Sequence, residues 1–169
     1  RVNGLEIHNI YLPAGGDVPD PVANDKFAHK LDFLAKLGKG YKSLPKAARI
    51  LVGDLNVAPH ENDVWSHKQL LKIVSHTSEE TELLEDSRQT AGFADIARMA
   101  VPDEQKLYSW WSYRAKDWAA ANKGRRLDHI WANPDALPNT KIDSYRVHLP
   151  WRGGWKPSDH APISVKVSV

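Results

Sequence analysis

The chain has 169 residues, the length of one domain. Its 23 Lys and Arg residues against 21 Asp and Glu residues give a formal charge of only +2. This charge excludes both a uniformly basic nucleic-acid coat protein and an acidic disordered tail. Hydrophobic residues make up 41% and charged residues 26%, a balance typical of a globular chain with a buried core, and no apolar run approaches the roughly 18 residues that a membrane span needs. The absence of Cys excludes disulfides, thiolate zinc sites and cysteine nucleophiles.

The chain opens with a strand pattern followed by a helix pattern. Residues 5–11 alternate apolar and polar side chains, which predicts a half-buried strand. A loop follows, and Asp20 before a proline predicts the start of a helix. Apolar residues then recur at helical spacing, so we predict a helix over about 22–37, ended by Gly38, with Lys30 off its apolar face.

The middle of the chain predicts one buried strand and two further helices. Residues 49–53 form a short apolar run with β-branched side chains, typical of a buried strand, and residues 64–74 favour a helix. The segment from Thr77 to Glu80 has the form of a capping box, which opens a helix that Gly92 follows.

The second half of the chain consists mainly of strand patterns, at 107–113, 127–132, 141–149 and 161–169. The order β-α-β-α-α-β-β-β-β predicts an α+β fold that ends in a mostly antiparallel run. We find no internal repeat, low-complexity stretch or linker, so the sequence predicts one structural unit.

Acidic residues occur at the edges of three apolar strands. Asp54 follows the strand at 49–53, Asp128 lies in the strand at 127–132, and Asp159 with His160 precedes the last strand. Carboxylates of this kind are the ligands that Mg²⁺ uses, and phosphoryl transfer needs a carboxylate to position the attacking water and donors for the developing charge. Asn56 and His160 are candidate donors. Each Asp taken singly could equally be a turn or cap residue.

Aromatic and basic residues are concentrated in the last third of the chain. Six of the seven Trp residues lie between Trp110 and Trp155, and residues 116–126 carry four cations and one acid. Aromatic side chains interleaved with basic ones can stack on a base or an abasic gap while the cations follow phosphates. A place in the core is the alternative for the Trp residues that lie in strands. The candidate substrate-binding residues are Trp110, Trp111, Arg114, Lys123, Arg125 and Arg126.

Five short motifs carry a resemblance to a known family: NIYLPAG at 9–15, GDLN at 53–56, YSWWSYR at 108–114, RLDHI at 126–130 and PSDHAP at 157–162. Their order and spacing resemble exodeoxyribonuclease III, the bacterial abasic-site endonuclease and exonuclease branch of the endonuclease/exonuclease/phosphatase superfamily. The resemblance runs over essentially the whole chain. GDLN and SDH are shared across the superfamily, whereas the SWW-YR stretch and the LDH strand point to the exonuclease III branch.

The resemblance implies a catalytic set of Tyr11, Asp54, Asn56, Asp128, Asp159 and His160. Tyr11 would contact the scissile phosphate, and Asp54 would orient or deprotonate the attacking water. Asp128 would orient His160, which hydrogen-bonds the phosphate. The implied metal ligands are Asp54, Asn56 and Asp159, with Mg²⁺ as the cofactor and Mn²⁺ as an alternative. The implied substrate is duplex DNA with an abasic site or a 3′ end, in the cytoplasm of a bacterium at its nucleoid and away from membranes.

The resemblance also implies a four-layer α/β-sandwich, in which two packed, mostly antiparallel sheets are flanked by helices and each half of the protein contributes one sheet. Residues 1–169 match the C-terminal part of that single catalytic domain, with one sheet present. The N-terminal part, which in the family supplies an Asn and a metal-ligating Glu, has no counterpart here. We therefore expect an uncovered apolar sheet face that favours self-association, and weak or absent cleavage by the isolated chain.

Two other classes of function stay open. One is a superfamily phosphatase or phosphodiesterase that acts on phospholipids or sugar phosphates, against which the SWW-YR motif and the basic stretch argue. The other is a non-catalytic DNA-binding or interaction module. Salt-sensitive DNA binding without cleavage at any metal concentration would favour that second class.

Overall fold

The computed structural model describes residues 1–168, and the secondary structure is mixed. The strands of this part of the chain are β1 (Glu6–Asn9), β2 (Arg49–Asp54), β3 (Ala94–Asp95), β4 (Trp110–Trp111), β5 (Gly124–Arg125), β6 (Asp128–Ala132), β7 (Thr140–Val147) and β8 (Ile163–Val167). The helices are α1 (Asp25–Lys42), α2 (His67–Leu70), α3 (Ser78–Ala91), α4 (Ile96–Ala100), α5 (Trp118–Ala121) and α6 (Leu149–Arg152), with 3₁₀ turns at Glu61–Asp63 and Leu137–Asn139. Within residues 1–168, the helices are all too short or too polar to span a bilayer.

Four strands form the main sheet in the order β1-β2-β6-β3. Strand β1 pairs parallel with β2, whereas β6 runs antiparallel to both β2 and β3. The β2–β6 register places Asp54 directly opposite Asp128. Strands β4 and β5 form a separate antiparallel pair, as do β7 and β8. The fold thus confirms the predicted mixture of helices with mostly antiparallel strands.

The two faces of the main sheet bury different clusters because side chains alternate along each strand. On one face, Leu51 and Trp131 pack with Leu34 of α1 and Leu84 of α3, and all four are almost completely buried. Helices α1 and α3 therefore cover that face. The opposite face packs residues such as Ile50 with side chains of α4, β7 and β8.

Part of this second face is open. A groove of about 410 Å³ lies between the main sheet and β8, and Ile7, on its rim, is 50% exposed. Its apolar lining residues include Val2, Leu5, Ile7, Val52, Ile130 and Val165.

The predicted bounds of the first helix are wrong at both ends. Helix α1 begins after Asn24, whose side chain accepts a hydrogen bond from the Lys26 amide, and it continues to Lys42. Gly38 lies inside the helix because α3 passes very close to it. A Cβ at Gly38 would lie 2.5 Å from the Ser87 carbonyl oxygen, so the glycine serves a helix contact and not a helix end.

The helix predicted at 64–74 is also largely wrong, since only α2 forms there. Val64 makes a strand bridge with Arg125, and the Trp65 amide donates to the Gly124 carbonyl at 3.0 Å. These pairings hold the start of the segment extended. Ser75, just beyond the segment, has φ +88°, a conformation that a helix cannot contain.

The remaining predictions fall into two groups. The capping box at Thr77 is confirmed at the start of α3, and Gly92 ends that helix with φ +72°. The strands predicted at 5–11, 49–53, 127–132 and 141–149 are confirmed by β1, β2, β6 and β7 with slightly different bounds. The strand predicted at 107–113 contains only β4, and the one at 161–169 corresponds to β8, with Val169 outside the described residues. Short elements such as β3, α4 and β5 were not predicted.

A buried charge network that includes Asp63, Asp95 and Arg126 overturns one substrate-binding prediction. Arg126 is completely buried, and its Nε and Nη2 donate to the Asp63 carboxylate, each at 2.8 Å. Its Nη1 lies 2.9 Å from Asp95 Oδ2. The prediction that Arg126 binds substrate is therefore wrong, because its guanidinium is fully occupied inside the protein.

His129 lies beside this network as a neutral imidazole. Its Nδ1 accepts a hydrogen bond from Arg126 Nη1 at 3.1 Å, and its Nε2 donates to the Val57 carbonyl at 2.9 Å. A guanidinium can only donate and a carbonyl can only accept, which fixes the tautomer with the proton on Nε2. Burial, together with the charge of Arg126, lowers the pKa of His129 from 6.5 to about 4.

We expect this histidine to make the fold acid-sensitive. The native state binds fewer protons at this site than the unfolded chain does, so its stabilising contribution is complete above about pH 6.5 and is lost as the pH falls to about 4. The full loss amounts to about 3 kcal/mol. Urea unfolding between pH 7.5 and 4.5 measures it, with His129→Asn as the comparison. Equal pH slopes for the two proteins would contradict the assignment.

Candidate active site

The ends of β2 and β6 bring together a cluster of two carboxylates and one imidazole. Asp54 and Asp128 are cross-strand partners, and a bridge between Trp110 and His160 carries the histidine to the same edge. His160 Nδ1 lies 2.8 Å from Asp128 Oδ2, and His160 Nε2 lies 3.9 Å from Asp54 Oδ2. The prediction that Asp128 would contact His160 agrees with this geometry.

Hydrogen bonds fix the orientation of the imidazole. Asp128 Oδ2 accepts from the Ser109 hydroxyl at 2.6 Å and from His160 Nδ1. Because Nδ1 is used in this way, Nε2 is the nitrogen that faces Asp54 and the open side of the cluster. A carboxylate behind a histidine holds one tautomer and supports the protonated form.

Burial and charge shift the titration of both partners. Burial disfavours the cationic form of His160, but its hydrogen bond to Asp128 and the neighbouring carboxylate charges outweigh this effect and raise its pKa above 6.5. Burial raises the pKa of Asp54 above 3.8, the charge of Asp128 adds to the shift, and a hydrogen bond from the Asn56 amide opposes it. The site therefore pairs an imidazole that holds its proton more strongly than usual with a carboxylate of increased basicity.

The GDLN motif forms a tight turn that holds Asp54. The Asn56 amide donates to Asp54 Oδ1 at 3.0 Å, and Asn56 Nδ2 donates to Asp54 Oδ2 at 3.2 Å and to the Leu12 carbonyl at 2.8 Å. Asn56 has φ +51°, which asparagine tolerates better than most residues. Gly53 has φ +140°, and a Cβ there would lie 1.9 Å from the Ile10 carbonyl oxygen, so only glycine fits.

The cluster opens into a cleft of about 820 Å³ with aromatic and basic walls. Tyr11 lines the cleft and is 67% exposed. The Arg125 guanidinium lies 5.3 Å from the ring centroid of Trp110, and Lys123 Nζ lies 4.6 Å from that of Trp65. Within residues 1–168 neither cation is ion-paired to a carboxylate, so both leave positive charge available on the cleft wall.

The other sequence-predicted residues occupy different depths of the cleft. Arg114 lines the cleft from an exposed position. Trp111 also reaches the wall but is only 4% exposed, with its Nε1 donating to Asn122 Oδ1 at 3.0 Å. Trp111 is therefore mainly a core residue, which was the alternative considered for strand tryptophans.

The carboxylates at the cleft suit a hard divalent cation. Ligand atoms of Asp54, Asp128 and His160 all lie within 4.8 Å of one another. Asp159 lines the same cleft, but its Oδ2 accepts a hydrogen bond from Trp110 Nε1 at 2.9 Å and lies outside that cluster. Asn56 contacts Asp54 directly. Oxygen donors of this kind fit Mg²⁺ or Mn²⁺.

The sequence model of the endonuclease/exonuclease/phosphatase family matches residues 17–160, which include three of the five motifs in full and the PSDH part of a fourth. The chain belongs to this family. Exodeoxyribonuclease III of Haemophilus influenzae is 31% identical over 166 residues, which cover 94% of this chain and 60% of that protein. An exodeoxyribonuclease of Bacillus subtilis is 32% identical over 122 residues, covering 71% of this chain and 44% of that protein.

Solved structures show the endonuclease/exonuclease/phosphatase fold over the whole chain. An AP endonuclease from Archaeoglobus fulgidus superposes with a TM-score of 0.88 at 26% identity, covering 99% of this chain and 63% of that one. A 3′-5′ exonuclease from Neisseria meningitidis gives 0.86 at 27% identity with the same coverage. The chain thus spans less than two thirds of each of these family members.

Three residues that line or support the cleft were not predicted from the sequence: Trp65 and Ser75 line it, and buried Ser109 supports it. Ser109, which bonds Asp128, lay within the recognised YSWWSYR motif, so its position was a usable signal. Trp65 was missed because it lies in the segment 64–74, which was wrongly predicted to be a helix. Ser75, whose Oγ accepts from Arg125 Nη1 at 2.7 Å, had no signal because the two residues are 50 positions apart.

Proposed function

We propose that the chain forms the catalytic cleft of a metal-dependent phosphodiesterase that cuts DNA at abasic sites and trims 3′ ends. The observation that carries this proposal is the cluster of Asp54, Asp128 and His160 at the base of a cleft with Trp and Arg walls. The names of relatives support it, since they include exodeoxyribonuclease III and AP endonuclease. One structural neighbour, a 3′ phosphatase from Neisseria, is described as bound to a product DNA hairpin.

Asp54 is the proposed base or orienting group for the attacking water. Its carboxylate is half-buried and held on both oxygens by Asn56, so it has one orientation toward the cleft. A raised pKa makes it a better proton acceptor than an exposed aspartate. His160, kept protonated by Asp128, presents Nε2 to a phosphate oxygen and stabilises the charge that develops there. Tyr11, exposed in the same cleft, is the proposed second contact to the phosphate.

The basic and aromatic wall is the proposed DNA-binding surface. Trp110 offers a ring for stacking with Arg125 already against it, and Arg114 and Lys123 add exposed positive charge along the cleft. Cations of this kind follow phosphates, while an aromatic ring supports a base or fills an abasic gap. Trp111 supports this wall from beneath.

Asp54, Asn56 and Asp159 are the proposed metal-binding residues. A bound Mg²⁺ or Mn²⁺ would neutralise charge on the phosphate as a Lewis acid. Mg²⁺ prefers six oxygen ligands, and these side chains offer few, so we expect weak metal affinity and slow cleavage by the 169-residue chain. The cytoplasm of a bacterial cell beside its nucleoid is the proposed location. Self-association through the apolar groove that contains Ile7 and Val165 belongs to the same proposal.

A second candidate activity is removal of a 3′-terminal phosphate from DNA by the same cleft. The description of the Neisseria neighbour as a 3′ phosphatase favours it. The chemistry is the same attack of water on phosphorus, with a terminal phosphate in place of a phosphodiester.

Cleavage assays with three DNA substrates test the proposal. Duplexes that carry an abasic site, a recessed 3′ end or a 3′-phosphate are incubated with the chain and Mg²⁺ or Mn²⁺, and inositol phosphates serve as non-DNA controls. We expect slow, EDTA-sensitive turnover of at least one DNA substrate, because the cluster needs a cation to act. Salt-sensitive DNA binding with no turnover at any metal concentration would identify a DNA-binding module instead.

A further inference from the structure

We propose that the buried ion pair of Lys30 and Glu80 is a positioning device that couples the Arg125 wall of the cleft to the turn that holds Asp54. Neither residue contacts the cleft's reacting groups, so both are positioning residues. The inference rests on the proposed function only for its kinetic test. Its structural test needs no DNA.

Lys30 reaches from α1 into two loops of the cleft. Its side chain is completely buried, and Nζ lies 2.5 Å from Glu80 Oε1. The same nitrogen donates to the Asn56 carbonyl at 2.8 Å and to the Ala14 carbonyl at 3.2 Å. All three ammonium protons thus have acceptors, and two of these acceptors belong to loops that line the cleft.

Glu80 connects the same pair to a third loop. Its two carboxylate oxygens both accept from the Ser75 amide at 2.9 Å, and Oε2 also accepts from the Thr77 hydroxyl at 2.8 Å. Ser75 has φ +88°, a conformation that serine adopts only when its surroundings hold it. The Glu80 carboxylate supplies that constraint.

Ser75 in turn fixes the substrate-facing arginine. Arg125 Nη1 donates to Ser75 Oγ at 2.7 Å and to the Val74 carbonyl at 3.0 Å, while its guanidinium covers Trp110. A continuous series of contacts therefore runs from Arg125 through Ser75, Glu80 and Lys30 to the backbone of Asn56. Asn56 holds Asp54, so the series joins the proposed DNA wall to the proposed base.

The contacts of the pair indicate a positioning role in addition to the capping of α3, in which Glu80 Oε2 accepts from the Thr77 amide at 3.1 Å. Buried ion pairs add little net stability, and apolar side chains of similar volume often replace them without loss. Helices α1 and α3 already pack through Leu34 and Leu84, which are fully buried. The groups that Lys30 Nζ and the Glu80 carboxylate bond belong to four residues outside the helices and strands, namely Ala14, Asn56, Ser75 and Thr77.

Chemical shifts of the unliganded chain give the structural test. We expect Arg125→Met to move the backbone amide signal of Asn56 in the wild-type background, and to move it clearly less when Lys30→Met and Glu80→Leu are also present. Comparing the backgrounds cancels any direct effect of the lost charge. Lys123→Met, a cleft cation outside the series, should leave Asn56 unmoved in both backgrounds. Equal shifts in the two backgrounds would overturn the proposal.

Cleavage of abasic duplex gives the kinetic test. Arg125→Met and the Lys30→Met/Glu80→Leu pair should each lower kcat/KM, and their effects should be non-additive by about 5- to 20-fold. The pair-replaced protein should melt at a lower temperature than the wild type, because Glu80→Leu removes the Thr77 capping box of α3, so both tests are run well below its transition. Ser75→Ala repeats both tests if the pair-replaced protein does not fold, since it removes one of the two contacts that Arg125 makes with the 74–75 segment and leaves the ion pair intact, so a partial loss of coupling is expected. Additive kinetics would overturn the coupling, whereas absence of turnover in the wild type would count against the proposed function alone.

Discussion

Replacing Asp63 with asparagine is expected to lower the free energy of unfolding by about 3–5 kcal/mol. Asp63 is completely buried and forms ion pairs with Arg126 and Arg98. Burial disfavours its charged form, yet the two guanidinium charges and the hydrogen bonds from Arg126 lower its pKa to about 2. Asparagine would remove the negative charge that Arg98 and Arg126 share and leave Asp95 as the carboxylate that still pairs with Arg126, which is why the effect is large.

Urea unfolding at neutral pH measures this effect through the transition midpoint and slope. Asp143→Asn is a matched control, because Asp143 is exposed and outside the network, so its change should stay within about 0.5 kcal/mol. A decrease in the free energy of unfolding of less than about 1 kcal/mol for Asp63→Asn would contradict a major contribution of this network to stability.

Asp54→Asn is expected to lower the single-turnover cleavage rate of abasic duplex by about 10²- to 10⁴-fold, the range typical of a lost general base. Asparagine keeps the shape of the side chain but cannot accept a proton from water. DNA affinity should change only slightly, because the Trp110 and Arg125 wall is untouched. Asp17→Asn is the matched control, since Asp17 also lines the cleft but lies outside the carboxylate and imidazole cluster.

The pH dependence of the same rate provides an independent check. The proposed role of Asp54 as a base requires a deprotonated carboxylate, so the rate should fall in acid below a pKa that lies above 3.8. The proposed role of His160 requires a protonated imidazole, so the rate should fall in base above a pKa that lies above 6.5. We expect a bell-shaped profile whose acidic limb is absent in Asp54→Asn. An unchanged acidic limb in that variant would assign the base to another group.

Much of the site could be predicted because its chemistry is encoded in short stretches of chain. Asp54 and Asn56 are two positions apart, and their hydrogen bonds form within one turn. The Thr77 capping box likewise depends on contacts within three residues. The GDLN and SDH motifs therefore carried information about the carboxylates and the histidine before their spatial relation was known.

Errors occurred where distant residues decided the outcome. Gly38 was predicted to end the first helix. In the structure it lies inside that helix, where the close approach of α3 leaves no room for a side chain. Arg126 was predicted to bind DNA because it lies in a basic stretch. In the structure it is buried and hydrogen-bonded to Asp63, which lies 63 positions earlier in the chain. Lys30 was placed off the apolar face of its helix, yet its side chain is completely buried, where Glu80 and two loop carbonyls compensate its charge.

The sequence by itself determined the residue types of the site, the main strands and the family, since these depend on local pattern and short motifs. The tertiary structure alone decided which charges face the cleft and which lie inside the protein. The physical reason is that a buried charge is stable only beside compensating partners, and those partners come from segments that the sequence keeps far apart. Only the fold brings Asp54, Asp128 and His160 within reach of one another and turns three separate motifs into one candidate site.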